Sequence, residues 1–186
     1  MASHPSPSGL IGGVEKGPIT IVAYDPDWPR KFEAHVTIIS GAIGSRALGI
    51  EHIGSTSVPG LAAKPVIDIL VVVANSADES AYLPPLEAAG YQLRVREPGW
   101  NEHRMLRTSG KDVHVHVYSA GCKEIGRYLT FRDRLRRSPK DRIRYEETKR
   151  TLAVKDWADR NDYANAKTEV IESIIASSQV DGNTSL

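Results

Sequence analysis

The chain has 186 residues, 40% hydrophobic and 25% charged, which is enough apolar material for one domain with its own core. This hydrophobicity, with 24 Lys/Arg against 23 Asp/Glu, excludes a wholly disordered chain, and the near balance of charge argues against long nucleic acid as a partner. One cysteine, Cys122, excludes an intramolecular disulfide and fits a reducing, cytoplasmic setting, and the longest apolar run, residues 69–74, falls far short of the roughly 20 residues that span a bilayer.

Residues 1–17 are rich in Ser, Pro and Gly, lack the apolar stretch of a signal peptide and read as a flexible N-terminal segment. Residues 18–176 read as a single domain, and residues 177–186, small and polar, as a flexible tail. Residues 19–24 have the pattern of a strand stopped by Pro26. Residues 28–48 place Phe32, Val36, Ile39 and Ile43 at helical spacing, with Pro29 tolerated in the first turn. Residues 50–53 form a short strand that runs into Gly54. Residues 66–73 are almost continuously apolar, the mark of a strand buried on both faces, and Asp68 interrupts them.

A helix is expected over residues 78–89, closed by Gly90. Residues 91–95, 103–108 and 112–118 alternate like strands, the last two joined by a hairpin at Ser109-Gly110-Lys111. From Cys122 onward the pattern is helical, with a break at Ser138-Pro139 and a weaker one at Asn161-Asp162. The expected fold class is α/β (α+β), a mixed sheet flanked by helices and followed by a helical half. Residues 123–150 of that half carry six net positive charges, leaving five net negative charges on the rest. Such a segment suits an anionic small ligand, or else forms a solvated helix face with arginines paired to neighbouring acids.

The chemistry concentrates in a few places. Gly54-Ser55-Thr56-Ser57-Val58-Pro59-Gly60 follows a strand directly; a glycine there lets backbone approach a ligand, and hydroxyls and amides offer donors to a phosphate oxygen. Lys64 could place an ammonium on a polyphosphate. Asp68 is costly inside an apolar strand unless it is paired, hydrogen-bonded or bound to metal. His114 and His116 share one strand face, and His52 precedes the glycine loop. Metal ligation, donation to phosphate and general-base catalysis all remain open for them. Cys122 reads as structural, and Trp28, Trp100 and Trp157 read as packing anchors. Tyr145/Lys149 and Tyr163/Lys167 recur at i, i+4, so each pair shares a helix face that meets an anionic ligand or solvent.

With these residues assembled, the chain resembles the GrpB family, small bacterial proteins with a nucleotidyltransferase-like fold. The resemblance runs through Tyr24-Asp25-Pro26-x-Trp28-Pro29, Glu51-His52-Ile53-Gly54-Ser55-Thr56-Ser57-Val58-Pro59-Gly60, Lys64-Pro65-Val66-Ile67-Asp68-Ile69, His114-x-His116-Val117 and Phe131-Arg132-Asp133-x-Leu135-Arg136. It implies a metal-dependent transferase that moves a nucleotidyl group from a nucleoside triphosphate to a small acceptor. Gly54, Ser55, Thr56, Ser57, Lys64, Arg132 and Lys149 would hold phosphates. Asp68, His114 and His116 would be catalytic, and these three with His52 would bind a divalent metal, Mg or Mn, with Zn or Ni admitted by the histidines.

The sequence departs from the nucleotidyltransferase pattern in one respect. The usual Asp-x-Asp pair is reduced to Asp68, with Val66 or Leu70 at the other position, and the neighbouring strand offers histidines instead of a third carboxylate. Two-metal chemistry needs several anionic oxygens to hold two cations about 4 Å apart. A one-metal enzyme, another metal-assisted reaction, or a non-catalytic nucleotide-, anion- or metal-binding module therefore stand as alternatives. The ligand expected is a nucleoside triphosphate or other anionic small molecule, with no membrane and no nucleic acid.

Overall fold

The computed structural model describes residues 9–182. Helix α1, Trp28–Ile43, starts from the Asp25-Pro26 turn, where Trp28 N–H donates to the Asp25 carbonyl at 3.1 Å. It ends at Gly44, whose φ of 56° is the left-handed conformation that favours glycine. Strand β1, Gly49–Ile53, pairs antiparallel with β2, Ile67–Val73. A short helix α2, Leu83–Ala88, leads into β3, Tyr91–Glu97, then β4, His103–Thr108, and β5, Val113–Ser119. The sheet order is β1-β2-β5-β4-β3, with β2 and β5 parallel and the other pairs antiparallel. Four helices follow: α3, Lys123–Arg137; α4, Pro139–Ala153; α5, Arg160–Asn165; and α6, Thr168–Gly182. No helix among the described residues is long and apolar enough to cross a membrane.

Period two divides the sheet into unlike faces. Ile67, Ile69, Val71 and Val73 of β2 and Val113, Val115 and Val117 of β5 point to one side and pack with Trp28, Ile39 and Ile43 of α1 and Leu86 of α2. Burying each such side chain stabilises the fold by about 1.5–3 kcal/mol. Asp68, Leu70, His114 and His116 leave by the other face. There Ile53, Leu70 and Tyr118 are capped by Ile125, Tyr128 and Leu129 of α3. Val58 and Leu61, just beyond the glycine loop, are buried with Phe131, Leu135, Tyr145 and Ile174. That cluster seats the loop against the helical half.

Several elements depart from the sequence pattern, each for a local reason. Residues 19–24 make one isolated bridge, Val22 to Ala63, instead of a strand. The next hydrogen-bonded pair would need an amide donor at Pro65, which has none. The helix expected over residues 78–89 opens as a separate 3₁₀ turn, Glu79–Ala81, because Pro84 and Pro85 cannot donate to the preceding turn. The late break lies at residues 154–159. Asn161 and Asp162 instead open α5, whose N-cap Asp159 accepts from Asn161 N–H at 2.9 Å.

The described parts of the two end segments carry more structure than their composition suggests. Residues 9–17 are tied to β3 by backbone hydrogen bonds, and residues 177–182 continue α6. Residues 1–8 and 183–186, which complete the segments expected to be flexible, lie outside the described residues.

Candidate functional site

The parallel register sets Asp68 beside His114, with His116 two residues further along β5 on the same face. His114 Nδ1 lies 3.4 Å and His116 Nε2 3.8 Å from Asp68 Oδ1. One donor atom from each residue falls within 4.8 Å of the others, and among the described residues these three form the one such group. Ligands about 2.0–2.2 Å from one tetrahedral ion stand about 3.4 Å apart, so this spacing suits a single divalent cation. Two imidazoles and one carboxylate favour Zn²⁺, Ni²⁺ or Mn²⁺ over Mg²⁺, which prefers oxygen. Burial opposes the charge on Asp68, but the polar contacts and attraction of the His114 and His116 rings beside it outweigh that and draw its pKa below the usual carboxylate range.

The triad's surroundings are fixed by two further features. Gly54 has φ 70°, and a β-carbon there would fall 2.4 Å from Asp68 Oδ2, so only glycine lets the loop lie against the carboxylate. Behind the triad, His116 Nδ1 meets His103 Nε2 at 3.1 Å, and His103 Nδ1 meets Glu97 Oε2 at 2.7 Å. A carboxylate at the end of such a chain orients the two imidazoles, so that His116 presents Nε2 toward Asp68.

Above the triad is a cleft of about 380 Å³. Ser55, Lys64, Lys149 and Lys167 line it. Lys149 Nζ donates to Ser55 Oγ at 3.1 Å and to the Ala62 carbonyl, and lies 5.0 Å from the Tyr145 ring centroid. Lys167 Nζ sits 4.7 Å from the Tyr163 ring centroid. Burial, with the Lys167 charge adding to it, pushes Lys149 down to about 7; burial also brings Lys167 to about 8, against an opposing pull from Asp68. Burial likewise lowers Lys64. An anion entering the cleft would favour the protonated form of all three.

Four of the expected site residues are placed elsewhere or otherwise engaged. His52 leaves β1 by the opposite face, opposite Ile69 in the register, where it stacks on Phe32 at 4.7 Å and meets Thr56 Oγ1 at 3.1 Å. It cannot join the metal ligands. Arg132 is spent on Glu51 at 2.7 Å, Asp133 at 2.8 Å and the His52 carbonyl, and does not reach the cleft. Ser57 Oγ donates to the Gly54 carbonyl at 2.6 Å, and Thr56 Oγ1 to the Val66 carbonyl at 3.1 Å. Those two hydroxyls hold the turn, leaving Ser55 as the side-chain donor at the cleft. Sequence reasoning missed Arg107, which the hairpin register pairs with His114; counting outward from the Ser109-Gly110-Lys111 loop would have found it.

A mixed five-stranded sheet with helices on both sides and a polar cluster on one face defines an α+β domain of the kind seen in solved relatives. The chain belongs to the GrpB family: the family model described as GrpB protein matches residues 18–177. It is 49% identical over 157 residues to UPF0157 protein BH1888 of Halalkalibacterium halodurans, covering 84% of this chain and 80% of that protein. It is 51% identical over 165 residues to UPF0157 protein SCO7215 of Streptomyces coelicolor, covering 89% and 87%. The crystal structure of conserved protein GrpB from Enterococcus faecalis superposes with a TM-score of 0.76 at 34% identity, covering 86% of this chain and 96% of that one. A structure of the Cid1 poly(U) polymerase gives a TM-score of 0.44 at 14% identity, covering 70% and 45%.

Proposed function

We propose that this GrpB protein is a one-metal transferase that moves a nucleotidyl group from a nucleoside triphosphate to a small acceptor in the cytoplasm. The observation that carries the reading is the Asp68–His114–His116 triad at the floor of a cleft lined by lysines. A divalent cation on the triad would supply Lewis-acid stabilisation of the phosphate oxygens. Lys64, Lys149 and Lys167 neutralise the triphosphate, and Ser55 Oγ with the loop amides donates to it. In the transfer, an acceptor oxygen bonds to the α-phosphorus while the bond from that phosphorus to the bridging oxygen breaks. Pyrophosphate leaves, and the acceptor's proton passes to solvent or to a neighbouring base. Leu70, two residues after Asp68 on the same face, is fully buried against Ile53 and Tyr118, so that position offers no carboxylate to a second metal.

The same observation favours one alternative, a module that binds a nucleotide or anion without turnover. The two are separated by pyrophosphate release from ATP, GTP, CTP and UTP, each with Mn²⁺ or Mg²⁺ and a panel of small hydroxy and amino acceptors. The transferase reading expects metal-dependent release that Asp68→Asn abolishes. A melting-temperature increase on adding a triphosphate with no release from any combination would leave the binding module. Neither release nor a shift would remove both.

A further inference from the structure

One end of the cleft is already filled by the chain itself. Residues 9–17 run beside β3: Arg96 N–H donates to the Gly9 carbonyl and Ile11 N–H to the Arg94 carbonyl, both at 2.8 Å. The Arg94 guanidinium donates to the carbonyls of Ile11 and Gly13. This strap delivers Glu15 into the cleft, where Oε1 is 2.8 Å from both Arg107 Nη1 and Lys111 Nζ. Burial opposes the carboxylate's charge, but Lys111 and Arg107 outweigh it and bring Glu15 to about 2. The family match begins at residue 18, so the strap lies outside it.

Three observations mark these cations as a site. Arg107 pairs with His114 in the β4–β5 register, so its side chain leaves the triad's face one strand further on. With strands about 4.8 Å apart, the Arg107 and Asp68 backbones are separated by two strand spacings, roughly 10 Å. Lys111 stands at the hairpin with φ 60°, a conformation disfavoured for lysine, although Gly110 is next to it. Arg160, whose N–H donates to the Glu15 carbonyl at 3.0 Å, also lines the cleft. Its Nε is buried with no hydrogen-bond partner among the described residues.

We infer that Arg107 and Lys111, with Arg160 beside them, form a subsite for the carboxylate of a small molecule, and that Glu15 occupies it in cis until that ligand displaces the strap. A ligand carboxylate accepts from the same two donors as Glu15 does. Two strand spacings between the Arg107 and Asp68 backbones, with both side chains on one face, suit a small molecule with its carboxylate at the clamp and a hydroxyl or amine toward Asp68. Naming that molecule as the acceptor rests on the transfer reading above. The carboxylate subsite and its strap do not.

The test is calorimetric titration of the full-length chain with succinate, citrate and inorganic phosphate, without metal or nucleotide. Glu15→Ala is expected to raise affinity for the dicarboxylate at least tenfold over the unaltered protein, and Arg107→Met added to Glu15→Ala to remove the gain. Should Glu15→Ala fold poorly, Glu15→Gln, which keeps the side chain's length without its charge, is expected to gain at least threefold. Equal affinities with and without Glu15, a gain that survives Arg107→Met, or a gain confined to phosphate would each overturn the proposal. Failure of pyrophosphate release would leave these results untouched, so the two readings fail separately.

Discussion

The two faces of one sheet, built from the same strands, have opposite chemistry. In β2 and β5 the odd-numbered residues from Ile67 to Val73 and from Val113 to Val117 are buried under α1 and α2. The even-numbered Asp68, His114 and His116 are half-buried on the other side, in the cleft. The first face gains its stability from apolar area. The second presents a carboxylate and two imidazoles to a cleft lined by lysines, a set suited to a cation and an anion. A one-residue slip of register would exchange the two sets, so the apolar face also fixes the geometry of the polar one. His52 shows the division most plainly: it is next to Ile53 in sequence but belongs to the stabilising face.

This contrast can be broken by substituting one residue on each face. Ile69→Ala is expected to lower unfolding free energy by about 2–5 kcal/mol through lost burial and the cavity left behind, measured by urea denaturation. Asp68→Asn in the metal-free protein is expected to cost clearly less than Ile69→Ala, since it keeps the side chain's volume and leaves no cavity. If Asp68→Asn collapsed as Ile69→Ala does, Asp68 would be structural and the contrast would fail. On the polar face Asp68→Asn should instead weaken Mn²⁺ or Zn²⁺ affinity by about a hundredfold, since it removes the one anionic ligand.

A smaller effect tests the chain behind the triad. Glu97→Gln removes the charge that orients His103 and, through it, His116, and is expected to reduce metal affinity about tenfold without changing the ligands themselves. Unaltered affinity would show that the Glu97 charge plays no part in positioning His116.

The smallest effect lies on the stabilising face and concerns pH. Burial, reinforced by the charges of Arg136 and Arg132 and opposed by Asp68, depresses His52 to about 4. Below pH about 6.5 the unfolded chain takes up a proton there that the folded chain refuses, so stability falls as pH drops from about 6.5 to 4. Between pH 6.5 and 5.5 this amounts to about 1 kcal/mol. His52→Gln should lose that much less over the same interval, measured by urea denaturation at both values. Parallel losses in the two proteins would place the acid sensitivity in other groups.

The sequence carried the triad because strand period is two and Asp68 sits conspicuously in an apolar run. It carried the glycine loop because Gly54 packs against Asp68, a close approach only glycine allows. It did not reveal the side of the sheet on which His52 lies, because the edge strand β1 is too short for its alternation to be read beside a buried polar residue. Arg132 was expected at the phosphates, and two of the partners that engage it instead, Glu51 and the His52 carbonyl, are about 80 positions away. The strap at residues 9–17 has the composition of a loose terminus; its order comes from Arg94 and Arg96, whose role is set by tertiary packing rather than local pattern.

The most direct measurement is metal stoichiometry and affinity by calorimetry and elemental analysis for the unaltered chain, Asp68→Asn and His52→Gln. One divalent ion per chain is expected for the unaltered protein and for His52→Gln, with Asp68→Asn losing it. No bound metal in the unaltered chain, or equal binding with Asp68→Asn, would contradict a metal centre on the polar face of the sheet.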